Sequence, residues 1–314
     1  MSLGKVNMPQ IELSIIIVSW NVKELLAKCL HSVKKNNSVV PTEIIVVDNA
    51  STDGSAEFIQ ARFDDVIWIQ NRENLGFPRA NNIGIEKSSG KYVVLLNPDT
   101  LMLEDCFRKM IEYLDRNSGC GAVGCKLIDQ NNLVDFNGAR NFPTIASLLF
   151  EPYLSKIFKI RIKDVTMKDW DHLGSRYVDV VSGACFMIGR ELLDNIGYLD
   201  EDIFIYADDD DLCYRIKQGG KTVYYLAETA IIHYGMQSVK QNHIKVKADG
   251  IRSMRKFFTK HKSIVYGFTY ELLVIMEFFF KYLLFSTLNL FNSKRSPGVI
   301  GDYFKIALRL ISRP

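Results

Sequence analysis

The sequence predicts an α/β fold: a doubly wound sheet with helices on its faces, followed by a helical carboxy-terminal segment of different character. Three observations carry this. Short aliphatic runs at Ser14–Val18, Glu43–Val47, Val66–Ile69 and Tyr92–Leu96 are apolar at consecutive positions, as parallel strands buried on both faces are. Stretches of helix length separate them, which gives a βαβαβαβ order. The charge also divides unevenly. Residues 1–237 hold 25 basic and 32 acidic side chains, a net −7, whereas 238–314 hold 14 and 4, a net +10, which together give the +3 of the 314-residue chain.

The elements follow in order. After the first run, Leu25, Leu26, Cys29, Leu30 and Val33 repeat with helical period. Ser55–Phe63 and Arg79–Lys87 are the next helices, and Glu104–Asn117 follows the fourth strand. An apolar stretch at Ala122–Leu127 leads into a loop-rich segment, Asp135–Val178, that reads as an insertion over a site. The pattern resumes at Val180–Ser182 and Cys185–Ile188, with a helix at Glu191–Ile196. Asp208–Asp211 then precedes a helix at Leu212–Lys217 that Gly219 and Gly220 cap. Two strand-like runs, Val223–Leu226 and Ala230–Ile232, end at His233.

Composition narrows the class. With 47% hydrophobic and 24% charged residues the chain buries an ordinary core and is neither disordered nor fibrous. Six scattered cysteines without a CxxC pair point to free thiols in a reducing compartment. No basic stretch followed by an apolar run opens the chain, which predicts no signal peptide and a cytosolic location.

In doubly wound sheets ligands bind at the carboxyl ends of the strands. The residues there are Ser19-Trp20-Asn21, Asp48-Asn49-Ala50-Ser51, Asn71–Gly76 and Asn97-Pro98-Asp99, all polar. Any one alone reads as a turn or helix cap, but four at one edge read as a site. Asp99 is placed to hold a divalent cation against a diphosphate, although one carboxylate needs further ligands to do so. His233 is the best-placed histidine to help, and the carboxylates of Asp208–Asp211 include a candidate base.

These residues resemble a known family. Ile15–Ser19, IVVDNASTDGS at Ile45–Ser55, NLGFPRANNIG at Asn74–Gly84, VLLNPDT at Val94–Thr100 and the segment Val180–His233 are similar to the family 2 glycosyltransferases of the GT-A fold, within the branch called rhamnosyltransferase-like. The likeness runs from about Leu13 to Ser238. It implies a GT-A catalytic domain over 1–237, with a donor half at about 13–130, an acceptor half at about 131–237, and a mixed Rossmann-like sheet.

The resemblance implies transfer of a sugar, with inversion, from a UDP- or dTDP-linked donor to a saccharide or polyprenyl-diphosphate-linked glycan, with Mg²⁺ or Mn²⁺ as cofactor. By position, Asp48 is the carboxylate for the pyrimidine base, with Ser19, Asn21, Asn49 and Ser51 around the nucleoside. Asn74, Gly76, Asn81, Asn82 and Asn97 line the ribose and diphosphate. Asp99 and His233 hold the metal, Asp209 is the catalytic base, and Gly183, Ala184, Asp208 and Asp211 face the donor sugar and acceptor. Asp208 stands where Glu is usual, one methylene shorter.

Residues 238–314 read as a basic, amphipathic helical tail. Ser238–Lys262 carries eight basic residues and one acidic one, and Ile264–Phe291 is apolar but interrupted by Glu271, Glu277 and Lys281. Glu277 and Lys281 form a favourable i, i+4 pair that gives this helix one polar stripe. The tail is expected to lie on the inner face of the plasma membrane, or else to pack on the protein or form a homodimer. Nucleic acid is not an expected partner, because the acidic body and apolar tail form no continuous basic groove. A nucleotidyltransferase or a dinucleotide-dependent oxidoreductase lacks its Gly-rich loop here. The remaining alternative is a catalytically inactive sugar-nucleotide-binding or scaffold protein.

Overall fold

The computed structural model describes residues 11–36, 40–150, 163–235, 243–290 and 297–312. Among these, nine strands form one mixed sheet of order β3-β2-β1-β4-β10-β6-β11-β5, with β8 also pairing to β11. The strands are β1 (Leu13–Ser19), β2 (Thr42–Asp48), β3 (Ile67–Gln70), β4 (Tyr92–Leu96), β5 (Thr100–Met102), β6 (Cys120–Ile128), β8 (Arg176–Val178), β10 (Cys185–Gly189) and β11 (Thr222–His233). A separate small pair joins β7 (Ala139–Arg140) to β9 (Val180–Val181). The helices are α1 (Lys23–Asn36), α2 (Ser55–Gln60), α3 (Phe77–Lys87), α4 (Cys106–Arg116), α5 (Arg190–Ile196), α6 (Asp208–Gln218), α7 (His243–His261), α8 (Ile264–Leu290) and α9 (Pro297–Ile311).

Every residue of β1 is buried, and alternate residues feed two cores. Leu13, Ile15 and Ile17 pack with Leu26, Leu30 and Val33 of α1 and Phe107, Met110 and Leu114 of α4. Ile16 and Val18 pack on the other face with Ala80 and Ile85 of α3 and Leu193 of α5. The free thiols of Cys106, Cys125 and Cys185 lie in the first core, where they act as small apolar groups. Helix α3 sits so close to the sheet that a Cβ on Gly84 would lie 2.5 Å from Ile16 Cγ2. The Asp53 carboxylate fixes two helix starts at once, accepting the Lys23 N–H at 2.9 Å and the Ser55 N–H at 3.1 Å.

Three expectations change and one holds. The run at Val66–Ile69 becomes β3, parallel to β2 but an edge strand exposed at both ends, because nothing pairs its outer side among the described residues. β10 runs antiparallel between β4 and β6, which makes the sheet the mixed one that the resemblance implies. The two runs before His233 are a single strand, β11, whose register against β6 slips between Leu226 and Ala230. Asp208–Asp211 forms the first turn of α6 rather than a loop before it, which suits four carboxylates at the positive end of a helix dipole. Part of the predicted insertion, residues 151–162, and the tail residues 238–242 lie outside the described residues.

The chain divides into two compact units. The first takes in the sheet and its flanking helices, up to Phe142, then Thr166–Leu199 and Leu212–Gly235. The second combines parts of Pro143–Val165, Asp200–Asp211 and the carboxy-terminal helices. In that unit Ala248, Ile251, Phe257 and Phe258 of α7, Tyr270, Val274 and Phe278 of α8, and Ile300, Ile306 and Leu310 of α9 are buried. Phe258 meets Tyr266 and Tyr270 edge to face, with centroids 5.1 Å apart.

Candidate active site

Strands β1 to β4 are parallel, so the polar residues that follow them gather at one edge of the first unit. Asp48, the last residue of β2, is 1% exposed. Ser51 donates to it through its N–H at 2.8 Å and its hydroxyl at 2.5 Å, and Gln70 Nε2 donates at 2.6 Å. A carboxylate has about four acceptor sites, so this cradle orients Asp48 and keeps acceptor capacity for a ligand N–H.

The neighbouring loops are laced together. Asn21 adopts a left-handed backbone, φ 52°, that turns its N–H onto Ser51 Oγ at 2.8 Å and its Oδ1 onto the Thr52 N–H at 2.7 Å. Asn49 Nδ2 donates to the Gly76 carbonyl at 3.1 Å, and its Oδ1 accepts from Asn71 Nδ2 at 2.8 Å. Asn74 Oδ1 accepts the Gly76 N–H at 3.0 Å, where Gly76 has φ 84°. Ser19 is buried with its hydroxyl unpaired, as is Asn81 Oδ1, although Asn81 Nδ2 donates to the Phe77 carbonyl at 2.9 Å. Asn82 holds Leu199 from both ends of its amide, donating at 2.9 Å and accepting at 3.0 Å.

Asp99 and His233 meet at the same edge because β11 pairs with β5, directly after Asp99. Asp99 Oδ1 lies 3.5 Å from His233 Nε2, and Asn97 Nδ2 lies 3.4 Å from that nitrogen. Neighbouring ligands of an octahedral cation bonded at about 2.1 Å are about 3 Å apart, so this oxygen and nitrogen pair fits Mg²⁺ or Mn²⁺. Phosphate oxygens and water would fill the other positions. Burial alone would depress the imidazole, but the carboxylates of Asp135 and Asp99 push it up to about 9. The ring therefore carries a proton at neutral pH that a bound cation would displace.

Asp135 Oδ2 lies 3.5 Å from His233 Nδ1 and orients the ring from behind. Sequence reading missed this residue, along with Gln70. The signal was positional: Asp135 follows β6, the parallel neighbour of β11. On the other side of β4, the Ala184 carbonyl accepts the Asn97 N–H at 3.1 Å, and the Ala184 N–H donates to Ser182 Oγ at 3.2 Å. This fixes the Gly183–Ala184 turn at the head of β10.

Asp208, Asp209 and Asp211 belong to the second unit. Of the four carboxylates in the first turn of α6, Asp208, Asp210 and Asp211 are buried and only Asp209 is partly exposed. Its Oδ1 accepts the Asp210 N–H at 2.9 Å. The two residues before the helix, Tyr206 and Ala207, are both left-handed, φ 59° and 60°, a strained entry of the kind that collects at functional sites. Asp211 is committed elsewhere: its Oδ1 lies 2.9 Å from Lys260 Nζ and 2.7 Å from His261 Nε2.

The chain is similar to known proteins. The family model described as glycosyl transferase family 2 matches residues 14–197. A low-salt glycan biosynthesis hexosyltransferase of Haloferax volcanii is 27% identical over 212 residues, covering 66% of this chain and 62% of that protein. An N-acetylglucosaminyl-diphospho-decaprenol L-rhamnosyltransferase of Mycobacterium tuberculosis is 25% identical over 211 residues, covering 63% and 68%. The Escherichia coli rhamnosyltransferase WbbL is 24% identical over 231 residues, covering 70% and 82%.

Among solved structures, a Pyrobaculum calidifontis mannosyltransferase in complex with GDP-Man and Mn²⁺ superposes with a TM-score of 0.54 at 14% identity, covering 96% of this chain and 88% of that one. A GalNAc transferase with UDP, GalNAc and Mn²⁺ superposes with a TM-score of 0.55 at 15% identity, covering 80% of this chain and 50% of that one. With the family matched over more than half its length, the chain, two of whose relatives are rhamnosyltransferases, belongs to glycosyl transferase family 2 and has the GT-A fold.

Proposed function

We propose that this glycosyltransferase moves a sugar from a pyrimidine nucleotide-diphosphate donor to a hydroxyl of a saccharide or lipid-linked saccharide, inverting the anomeric centre. One observation carries the reading: a buried carboxylate with spare acceptor capacity, Asp48, shares a sheet edge with an Asp99–His233 pair suited to a hard cation. Asp48 accepts the imide N–H of uracil or thymine, and the Ser51 and Gln70 donors hold it aimed. The Gly76 backbone and the asparagines of the adjoining loops receive the ribose and diphosphate. We assign the donor half to about 13–130 and the acceptor half to about 131–237.

In the transfer step the acceptor oxygen bonds to the anomeric carbon while the bond to the nucleoside diphosphate breaks, its electron pair leaving with the phosphate oxygen. Asp209 takes the acceptor's proton as the new bond forms. Bound at Asp99 and His233, Mg²⁺ or Mn²⁺ would supply positive charge beside the leaving diphosphate. The names of two bacterial relatives favour rhamnose as the transferred sugar, which on a pyrimidine nucleotide makes dTDP-rhamnose our choice of donor, and one of those names favours a polyprenyl-diphosphate-linked glycan as acceptor, which would place the reaction at a bilayer surface in surface-polysaccharide synthesis.

The test is donor binding and hydrolysis across UDP-, dTDP- and GDP-sugars, with Mn²⁺, Mg²⁺ or chelator, for the wild type and Asp99→Ala. The expected result is cation-dependent binding of one pyrimidine donor that the variant loses. Binding to no nucleotide sugar would sink the reading and leave a scaffold.

A further inference from the structure

Helix α8 is inside out. Its charged residues Glu271, Glu277 and Lys281 have side chains only 14–27% exposed, and Glu277 pairs with Lys281 at 2.6 Å on the inner side with Phe278 and Tyr303. The face turned outward carries Val265, Phe268, Leu272, Met276, Phe280 and Leu283, between 46% and 75% exposed. At 100° per residue these six fall within about 60° of one direction, and they run for about 27 Å along the helix. A continuous apolar stripe of that length on a water-facing helix needs a cover.

Charge identifies the cover. Across 243–312 no acidic side chain among the described residues is exposed, and each of the four has a lysine or arginine partner: Asp249 with Arg252, Glu271 with Arg255, Glu277 with Lys281 and Asp302 with Lys305. The exposed charge is therefore basic, and it includes Lys245, Lys247, Lys256, Lys262, Lys305 and Arg309. A cavity of about 730 Å³ has five basic residues in its lining, Lys245, Arg252, Arg255, Lys256 and Arg309, against three acidic ones, Asp202, Asp249 and Glu271, and it has the exposed apolar side chains of Phe268 and Ile311 in its wall. Cationic groups beside exposed apolar ones match a phosphate headgroup above acyl chains. A second copy is a poorer match, because it would bring two strongly basic surfaces together.

We propose that the helical part of the second unit docks on an anionic bilayer, with the α8 stripe in the acyl boundary and the surrounding lysines and arginines on lipid phosphates. No described helix is long and apolar enough to cross a membrane, and a helix with one long apolar face lies in the interface plane. The docking stands independently of the transfer reaction.

The test is co-sedimentation of the full chain with vesicles of phosphatidylcholine alone or mixed equally with phosphatidylglycerol. Wild type should pellet with the mixed vesicles and be released by salt. Leu272→Ser/Phe280→Ser should lose binding by more than tenfold with its unfolding midpoint unchanged. Lys262→Gln/Lys305→Gln/Arg309→Gln should lose roughly 10²-fold on the anionic vesicles alone, at about fivefold per charge. Both variants should hydrolyse donor sugar in vesicle-free buffer as the wild type does, which separates a docking failure from a failure of the transferase reading. The proposal is overturned if wild type stays in the supernatant with anionic vesicles, if the charge variant binds them undiminished, or if light scattering shows a dimer that the serine variant dissociates.

Discussion

The two units use carboxylates in opposite ways. In the first, Asp48, Asp99 and Asp135 stand at strand ends, held by hydroxyl, amide or imidazole groups, with no Lys or Arg ion pair recorded on any of them among the described residues. In the carboxy-terminal helices of the second, every acidic side chain among the described residues has a lysine or arginine partner. The contrast separates binding from scaffolding: amide and hydroxyl donors orient Asp48 without cancelling its charge, and the one imidazole shared by Asp99 and Asp135 would give up its extra proton to a bound cation, whereas a Lys or Arg ion pair cancels the charge and fixes the packing. The first turn of α6 compresses the contrast into three residues, with Asp209 partly exposed and Asp211 buried against Lys260 and His261.

That turn supplies the sharpest break. Asp209→Asn removes the proton acceptor and should lower turnover by about 10²–10⁴-fold, while calorimetric titration shows donor affinity within a factor of a few of wild type. A parallel loss of donor affinity would mean that Asp209 serves the nucleotide rather than the acceptor. Asp211→Asn should do the reverse. Removing one member of a buried pair costs about 3–5 kcal/mol, and the partial exposure of Lys260 draws the value to the lower end. Urea unfolding measures the loss. Turnover per folded molecule should hold, and a variant of native stability but low turnover would return Asp211 to the site.

A smaller effect tests how tightly the sheet holds its edge. Gly84→Ala sets a methyl carbon 2.5 Å from Ile16 Cγ2 and 3.2 Å from Val47 Cγ2, so α3 must lift off β1 and β2. Overpacking of this kind costs about 1–3 kcal/mol. Because Gly76 directly precedes α3, the shift should also raise the donor dissociation constant. A variant that melts early yet binds donor normally would show that the Gly76 loop is positioned by Asn49 and Asn74 alone.

Much of this was legible in the residues. Four strand ends could be read because buried parallel strands are continuously apolar and the polar residues after them break the pattern abruptly. Asp135 and Gln70 were not legible, since each reaches its partner only through strand order, β6 beside β11 and β3 beside β2. The run at Asp208–Asp211 could be divided only by resemblance, which singled out Asp209 but also put Asp211 at the site, because four identical side chains differ only in the direction each leaves the helix. The charged positions of α8 invited the opposite mistake. An i, i+4 Glu-Lys pair reads as a solvated stripe, yet the helix turns it inward and leaves the apolar face outside.

The smallest effect concerns a carboxylate that belongs to the first unit but works as scaffolding there. Partial burial disfavours the Asp53 charge, but the Ser55 hydroxyl and the N–H groups of Lys23 and Ser55 outweigh it and hold the carboxyl below its ordinary value. A depressed folded-state pKa means that the stabilisation is complete above the unfolded value near 4 and fades as pH falls through the folded one. Asp53→Ala should therefore cost about 0.5–2 kcal/mol at neutral pH, the worth of a lost cap, and progressively less in acid. Thermal unfolding of wild type and variant from pH 7 to pH 3 follows the gap directly. A gap that stays constant with pH would show that the side chain stabilises α1 and α2 by its shape, and that the contrast between ligand-facing and scaffolding carboxylates fails in the first unit itself.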